Sequence, residues 1–180
     1  MRKILLVMCG ANRGGNTDRF CDMFYDGAKA AGHEVHKVFL GDNIHGCRGC
    51  GACQVSGKGC VIHDIMDEIY PLVDECDTIV MASPLFFWSV SSQMKAFVDR
   101  LYAIGKNDLY PKKAMGLLMT AGDDRPETFE RAIQYFEGLA QIYGGDNLGV
   151  CCAGGCVGSP GHHQISEDNL RKGYEFGFKI

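Results

Sequence analysis

Apolar residues follow two alternating patterns along the chain: short runs, and longer segments with an apolar residue every three or four positions. The runs have strand length, and the continuous ones are typical of strands buried on both faces of a parallel sheet. The longer segments are bounded by glycine, proline or capping residues, as amphipathic helices are. The predicted strands are 3–8, 34–40, 78–82, 114–120 and 147–152. The predicted helices are 16–31, 64–76, 91–101, 126–143 and 166–179.

This alternation predicts one α/β domain over residues 1–180, with a five-stranded parallel sheet, helices on both faces and three layers. Five strand–helix units fit a flavodoxin-like sheet. Ligands of such sheets bind beyond the carboxyl ends of the strands, so the loops after the strands are the candidate sites. A polar segment rich in cysteine and glycine shows neither period and is interpreted as a loop insertion over 41–63. Pro71 predicts a kink in the second helix.

The composition is that of an ordinary globular protein, with 46% hydrophobic and 22% charged residues among 180. The formal net charge is -4 and no block of lysine or arginine occurs, so nucleic acid and anionic lipid are not expected partners. Apolar runs such as 4–9 and 79–82 are far shorter than the roughly 20 residues that span a bilayer. The first run is also too short for a signal peptide. We therefore expect a cytoplasmic protein without a membrane partner.

The first candidate loop, 10–17, reads Gly-Ala-Asn-Arg-Gly-Gly-Asn-Thr and lies between a strand and a helix. Its amides and the helix N-terminus can hold a phosphate, and Arg13 can add charge. The loop lacks the lysine of a P-loop and the second glycine of a dinucleotide fingerprint, so a monophosphate is the expected ligand. The alternative is an empty glycine-rich turn that caps the helix.

Two further loops suit a planar ring. The segment 83–89 carries three consecutive aromatic residues at a strand end, which suggest a stacked ring, packing into the core or an oligomer interface. The segment 121–124 offers small residues and exposed backbone to a ring edge, or is a plain turn. A phosphate at one loop and a ring between two others describe FMN better than any other common cofactor.

These residues also carry a family resemblance. The loop 10–17 resembles the G-S-x-R-x-x-G-N-T loop of the NAD(P)H-dependent FMN reductases, and 83–88 with 93–100 resembles their S-P-x-Y-W and Q-x-K-x-F-x-D-R stretches. The resemblance, which covers 3–125, implies FMN as cofactor, NAD(P)H as co-substrate and a homodimer or homotetramer. The cofactor-binding residues that it implies are Arg13, Gly15, Asn16, Thr17, Pro84, Leu85, Phe86, Phe87, Trp88, Ala121, Gly122 and Asp123.

Three features depart from the family pattern. Ala11 stands where the family has a serine hydroxyl, the span from Arg13 to Thr17 is one residue shorter, and Phe87 replaces a tyrosine. The backbone cradle survives these changes, so we expect FMN to bind. No catalytic side chain is assigned, because the flavin itself accepts the hydride while the protein orients it.

Four of the ten cysteines form a C-x2-C-x2-C-x6-C cluster in the glycine-rich insertion: Cys47, Cys50, Cys53 and Cys60. Four thiolates can hold a [4Fe-4S] cluster, and the spacing resembles the compact motif of iron-sulfur flavoproteins. Zinc, or an unmetallated thiol or disulfide loop, are the alternatives. The other cysteines are expected in core or turn positions: Cys9, Cys21, Cys76, Cys151, Cys152 and Cys156. His162 and His163 are expected to be solvated.

The sequence thus predicts an FMN-dependent oxidoreductase that passes electrons from NAD(P)H, or a reduced carrier, through FMN to a quinone-like or protein acceptor. An alternative is an iron-sulfur flavoprotein that acts as an electron carrier and receives electrons from a ferredoxin-like donor. A zinc or thiol switch on the same fold is the third hypothesis.

Overall fold

Residues 1–105, 109–157 and 164–180 are described by the computed structural model, and they contain six strands and six α-helices. The strands are β1 (Lys3–Met8), β2 (Glu34–Phe39), β3 (Thr78–Phe86), β4 (Ser89–Val90), β5 (Lys113–Thr120) and β6 (Gly144–Ala153). The helices are α1 (Asn16–Ala30), α2 (Ala52–Ser56), α3 (Met66–Glu75), α4 (Ser92–Arg100), α5 (Glu130–Tyr143) and α6 (Glu167–Lys179). Two 3-10 turns cover Leu101–Ile104 and Pro126–Thr128.

Five of the strands form a parallel sheet in the order β2-β1-β3-β5-β6, and the short β4 pairs antiparallel with the end of β3. This is the flavodoxin-like order, in which the succession of strands reverses between β1 and β3. The predicted fold class is therefore confirmed. At the reversal the loops after β1 and β3 diverge, which opens a crevice at the carboxyl edge of the sheet.

Helices cover both faces of the sheet. On one face α3, α4 and α5 bury apolar side chains such as Ile69, Phe97 and Phe136. On the other face α1 and α6 contribute Phe20 and Leu170. In the described part of the chain, none of the helices has both the length and the apolarity to cross a membrane.

Glycines allow α1 and α6 to pack backbone against backbone. A Cβ atom on Gly27 would lie 2.0 Å from the carbonyl oxygen of Tyr174, and one on Gly177 would lie 2.1 Å from that of Phe24. A larger residue at either position would have to push the helices apart. The apolar pattern predicts the helix α1, and the close contact of α1 with α6 additionally requires glycine.

Three local predictions were wrong. The segment 83–90 was interpreted as a loop, but β3 continues to Phe86 and turns back into β4. The last strand was expected from 147, but it begins at Gly144, whose left-handed backbone (φ 59°) ends α5 within one residue. The cysteine-rich insertion contains α2, whose five residues are too few to produce a helical period.

The cysteines outside the insertion take the positions that their neighbours predicted. Cys9, Cys21 and Cys76 are fully buried in the two apolar layers. The others are half-buried on and just after β6: Cys151, Cys152 and Cys156. His162 and His163 lie outside the described residues.

Candidate functional site

The glycine-rich loop after β1 ends at an uncapped helix N-terminus. Gly15 is the N-cap residue of α1 and offers no side chain, so the first amides of the helix have no acceptor within it. Gly14 takes a left-handed backbone, φ 68°, and its amide donates to Asp18 Oδ2 at 2.7 Å. Free amides and the helix dipole together make this loop suitable for an anion.

Arg13 is the positive side chain of this loop. It is exposed, and its guanidinium carbon lies 4.1 Å above the centroid of the Phe39 ring at the end of β2. This cation–π contact places the charge beside the loop. Arg13 can therefore add attraction for a phosphate to that of the helix N-terminus.

The side chains of Asn16 and Thr17 are engaged within the protein. Asn16 Nδ2 donates to the carbonyl oxygen of Cys156 at 3.3 Å, and Asn16 Oδ1 accepts from the Ile165 amide at 3.1 Å. Thr17 Oγ1 and Thr120 Oγ1 lie 2.6 Å apart and are buried. Both side chains fix the start of α1 to neighbouring segments, which leaves the backbone amides of these residues as the groups that an anion at the loop would use.

The aromatic segment forms a strained hairpin turn. Phe87 and Trp88 both have left-handed backbone, with φ of 47° and 59°, as a two-residue turn of type I′ requires. Bulky residues rarely adopt this conformation. Phe87 is also 94% exposed and Trp88 58% exposed. Because neither strain nor exposure stabilises the fold, this turn is a candidate for function.

The hairpin and the loop after β5 form the two walls of one cavity of about 380 Å³. The residues that line it are Leu85, Phe86, Phe87, Trp88, Ala121, Gly122, Asp123, Arg125 and Thr128. The structure thus brings together two segments that were identified separately in the sequence. Pro84 lies elsewhere, with Cδ 3.7 Å from the position of a Cβ on Gly10.

Arg125 and Thr128 line this cavity but were not predicted. Arg125 Nε donates to Asp123 Oδ2 at 2.9 Å, and hydrogen bonds from Arg125 hold the pKa of the Asp123 carboxyl below its usual range. The pair keeps a negative and a positive charge together at the cavity wall. The signal available in the sequence was an arginine directly after the small-residue loop.

Serine hydroxyls tie the two sides of the crevice together. Ser91 Oγ donates to the carbonyl oxygen of Cys9 at 2.6 Å and accepts from the Met94 amide at 3.1 Å. Ser83 Oγ accepts from the Ser91 amide at 3.0 Å. The end of β1, the hairpin and the start of α4 are therefore held in fixed relation.

The four clustered cysteines face a second cavity of about 170 Å³, together with Tyr102 and Ile62. Gly49 and Gly51 have left-handed backbone in this loop, with φ of 63° and 66°. The Gly49 amide points at Cys47 Sγ, 3.4 Å away. Such amide donors stabilise thiolates that carry a metal centre.

Zinc and an iron-sulfur cluster require different arrangements of the thiols. Tetrahedral zinc with Zn–S bonds of about 2.3 Å brings its sulfurs to about 3.8 Å from one another. Among the described residues, the one group of three potential ligands within 4.8 Å of one another is Glu34, His36 and Glu75, so no three of the thiols are that close. Lys3 Nζ already pairs with Glu75 at 2.9 Å. A [4Fe-4S] cluster is held by four cysteine thiolates, which is the number that faces this cavity.

Comparisons with known proteins identify the relatives of this chain. Residues 2–136 match the family model of NADPH-dependent FMN reductase. An iron-sulfur flavoprotein of Archaeoglobus fulgidus is 30% identical, over 99% of this chain and 78% of the relative. The NAD(P)H:quinone oxidoreductase of Methanothermobacter marburgensis has the same fold, with a TM-score of 0.75 and 17% identity over 99% of this chain and 98% of that one.

An FMN-dependent NADH-azoreductase of Bacillus anthracis, solved in complex with FMN, also shares the fold. Its TM-score is 0.65, with 14% identity over 99% of this chain and 97% of that one. The family match covers most of the chain and contains both the glycine-rich loop and the aromatic hairpin. The chain therefore belongs to the NADPH-dependent FMN reductase family and is related within it to the iron-sulfur flavoproteins.

Proposed function

We propose that this protein is an FMN-dependent oxidoreductase that also uses a [4Fe-4S] cluster. NAD(P)H, or a reduced ferredoxin-like carrier, supplies the electrons, and a quinone-like molecule or a protein accepts them. NAD(P)H loses two electrons as a hydride, and a quinone gains two electrons and two protons. The observation that carries the proposal is the convergence of the glycine-rich loop, the hairpin and the loop after β5 at the carboxyl edge of the sheet.

In this proposal the amides of Gly15, Asn16 and Thr17, with the charge of Arg13, hold the phosphate of FMN. Residues 85–88 would contact one part of the isoalloxazine, and Ala121, Gly122 and Asp123 would contact its edge through the small loop after β5. Pro84 lies outside this cavity, beside Gly10 at the start of the glycine-rich loop. When bound, FMN accepts a hydride and releases electrons singly or in pairs, whereas a cluster carries one electron at a time. The protein supplies position, stacking and hydrogen bonds.

The cysteine loop supports the cluster part of the proposal. Its four thiols face one cavity, and an amide points at Cys47 Sγ. Cys47, Cys50, Cys53 and Cys60 would each hold one iron. The exposure of Phe87 further supports a homodimer or homotetramer in which a second copy covers the hairpin.

Anaerobic purification followed by an absorbance spectrum and iron, sulfide and zinc analysis tests the proposal. We expect one FMN, four irons and four sulfides per chain. Cys50→Ala should lose the iron, whereas Cys151→Ala, a half-buried cysteine outside the loop, should retain it. A colourless protein that takes up no added FMN contradicts the flavin assignment, and flavin without iron contradicts the cluster.

Turnover distinguishes the donors. Oxidation of NADH or NADPH with a quinone present identifies a nicotinamide-dependent reductase. Reduction of the flavin only by a reduced ferredoxin-like protein favours an electron carrier instead. A protein that no donor reduces would contradict both versions.

A further inference from the structure

A buried ion pair lies at the base of the cysteine loop. The side chains of Arg100, at the end of α4, and Asp64, just before α3, are 0% and 1% exposed. Arg100 Nη1 lies 2.9 Å from Asp64 Oδ2, and Nη2 lies 3.2 Å from Oδ1. This is the bidentate geometry that fixes both side chains in orientation as well as in distance.

The same guanidinium binds both ends of the loop. Its Nη1 donates to the carbonyl oxygen of His45 at 3.0 Å, and its Nη2 donates to that of Ile62 at 2.8 Å. Asp64 Oδ2 also accepts from the His45 amide at 2.8 Å. His45 and Ile62 flank the four cysteines, which occupy 47–60. One ion pair therefore determines where the loop leaves the fold and where it returns.

The loop between these ends has few anchors of its own. None of the five residues of α2 is buried. Gln54 Nε2 donates to the carbonyl oxygen of Tyr102 at 2.7 Å, which ties the middle of the loop to the segment after α4. The direction in which the thiols point thus depends on how the ends are held.

Stability alone does not account for a pair buried in this way. Apolar residues of similar volume often replace a buried ion pair without loss of stability, because desolvation offsets its attraction. What apolar residues cannot do is donate to two carbonyl groups while accepting from an amide. Lysine carries three donors on a single nitrogen, so it cannot reproduce the planar fork in which Nη1 and Nη2 each bind one carbonyl and one carboxylate oxygen.

We propose that Arg100 and Asp64 are positioning residues that hold the two ends of the cysteine loop so that its four thiols face one cavity before any metal binds. The identity of the metal centre rests on the proposed function. The structural role of the ion pair, which we call the clasp of the cysteine loop, does not rest on the proposed function. It can be measured in metal-free protein.

Hydrogen exchange of the metal-free full-length protein, followed by mass spectrometry, tests the clasp. The variants are Arg100→Lys and the double variant Arg100→Met with Asp64→Leu, which keeps the site filled if the single variant folds poorly. The control is Arg171→Met with Asp168→Leu, an exposed ion pair on α6 and away from the cysteine loop. We expect amides in 45–62 to exchange about tenfold faster or more in the clasp variants, with β1 unchanged. Exchange equal to that of the control would overturn the proposal.

Anaerobic reconstitution with iron and sulfide gives the second measurement. Clasp variants should bind several-fold less iron than the control at the same time point, and their EPR signal after reduction should be weaker or altered. Faster exchange with wild-type iron content and an unchanged signal would overturn the positioning role. If wild-type protein binds no iron while the clasp variants exchange faster, the clasp stands and the cluster in the proposed function fails.

Discussion

The left-handed backbone of Phe87 predicts that a substitution at this position can raise the stability of the fold while it weakens the binding of FMN. This conformation costs a residue with a Cβ atom about 1–2 kcal/mol. It costs asparagine less, because the asparagine side chain forms hydrogen bonds with the nearby backbone. Phe87 is 94% exposed, so its removal forfeits little buried surface. Phe87→Asn should therefore stabilise the FMN-free protein by about 0.5–1 kcal/mol, or about 1–4 °C in Tm.

The matched variant is Phe87→Ala, which removes the same ring but keeps the strain at φ 47°. It should gain no stability over wild type. Both variants lose the aromatic contact that the proposed isoalloxazine position requires, and such contacts are worth about 0.5–1.5 kcal/mol. FMN should therefore bind roughly 2- to 10-fold more weakly to both.

Thermal unfolding of the apoprotein and fluorescence titration with FMN measure the two quantities separately. An asparagine variant no more stable than the alanine variant would show that the turn stores no strain. Unchanged FMN affinity in both variants would place the flavin away from the hairpin, and the proposed site would be wrong.

Three other predictions test separate parts of the structure. Arg13→Ala should weaken FMN by about 1–3 kcal/mol, with Arg13→Lys intermediate, because a charge-assisted contact is lost; equal titration curves would contradict this. Gly177→Ala should cost about 1–3 kcal/mol in urea unfolding, since its Cβ would lie 2.1 Å from the carbonyl oxygen of Phe24. Gly138→Ala, with no atom within 4 Å of its Cβ on the exposed face of α5, should instead stabilise by up to about 1 kcal/mol. Burial alone would raise the pKa of Asp64, but hydrogen bonds from Arg100 and two amides lower it below its usual 3.8. Its stabilising contribution is therefore present above about pH 4 and lost as pH falls through the lower folded value, so Asp64→Asn should show a flatter stability profile in acid.

The sheet could be predicted because burial on both faces leaves a plain signal. The predicted strand 3–8 matches the observed β1 at both ends. Both faces of this strand are covered, so its positions after Lys3 are all apolar and buried. The starts of α4 and α6 could also be predicted from the sequence. Ser91 and Ser166 accept from the amides of Met94 and Asn169, as N-cap residues do.

The site was only partly predictable, because its key contacts are distant in sequence. The hairpin could not be recognised, since Phe87 and Trp88 lack the Asn-Gly signature of a two-residue turn. Arg100 belongs to the family motif, but an arginine near a helix end gives no sign that it is buried against a residue 36 positions earlier. Asp64 is the first residue of the predicted helix 64–76, a position typical of a helix cap. Its Oδ1 does accept from the Met66 amide at 3.0 Å, while Oδ2 serves Arg100.

The two candidate centres are held by opposite ends of one helix. At the start of α4, Ser91 binds the residue that follows β1 and the hairpin segment, and so fixes the edge of the proposed flavin cavity. At its end, Arg100 binds both ends of the cysteine loop. Phe97 and Met94 between them are fully buried against the sheet, which keeps this helix from shifting independently of the core. Nine residues at about 1.5 Å each set a spacing of about 13 Å along the helix axis. The length of α4 thus determines how far Ser91 and Arg100, the two anchoring points, lie from each other.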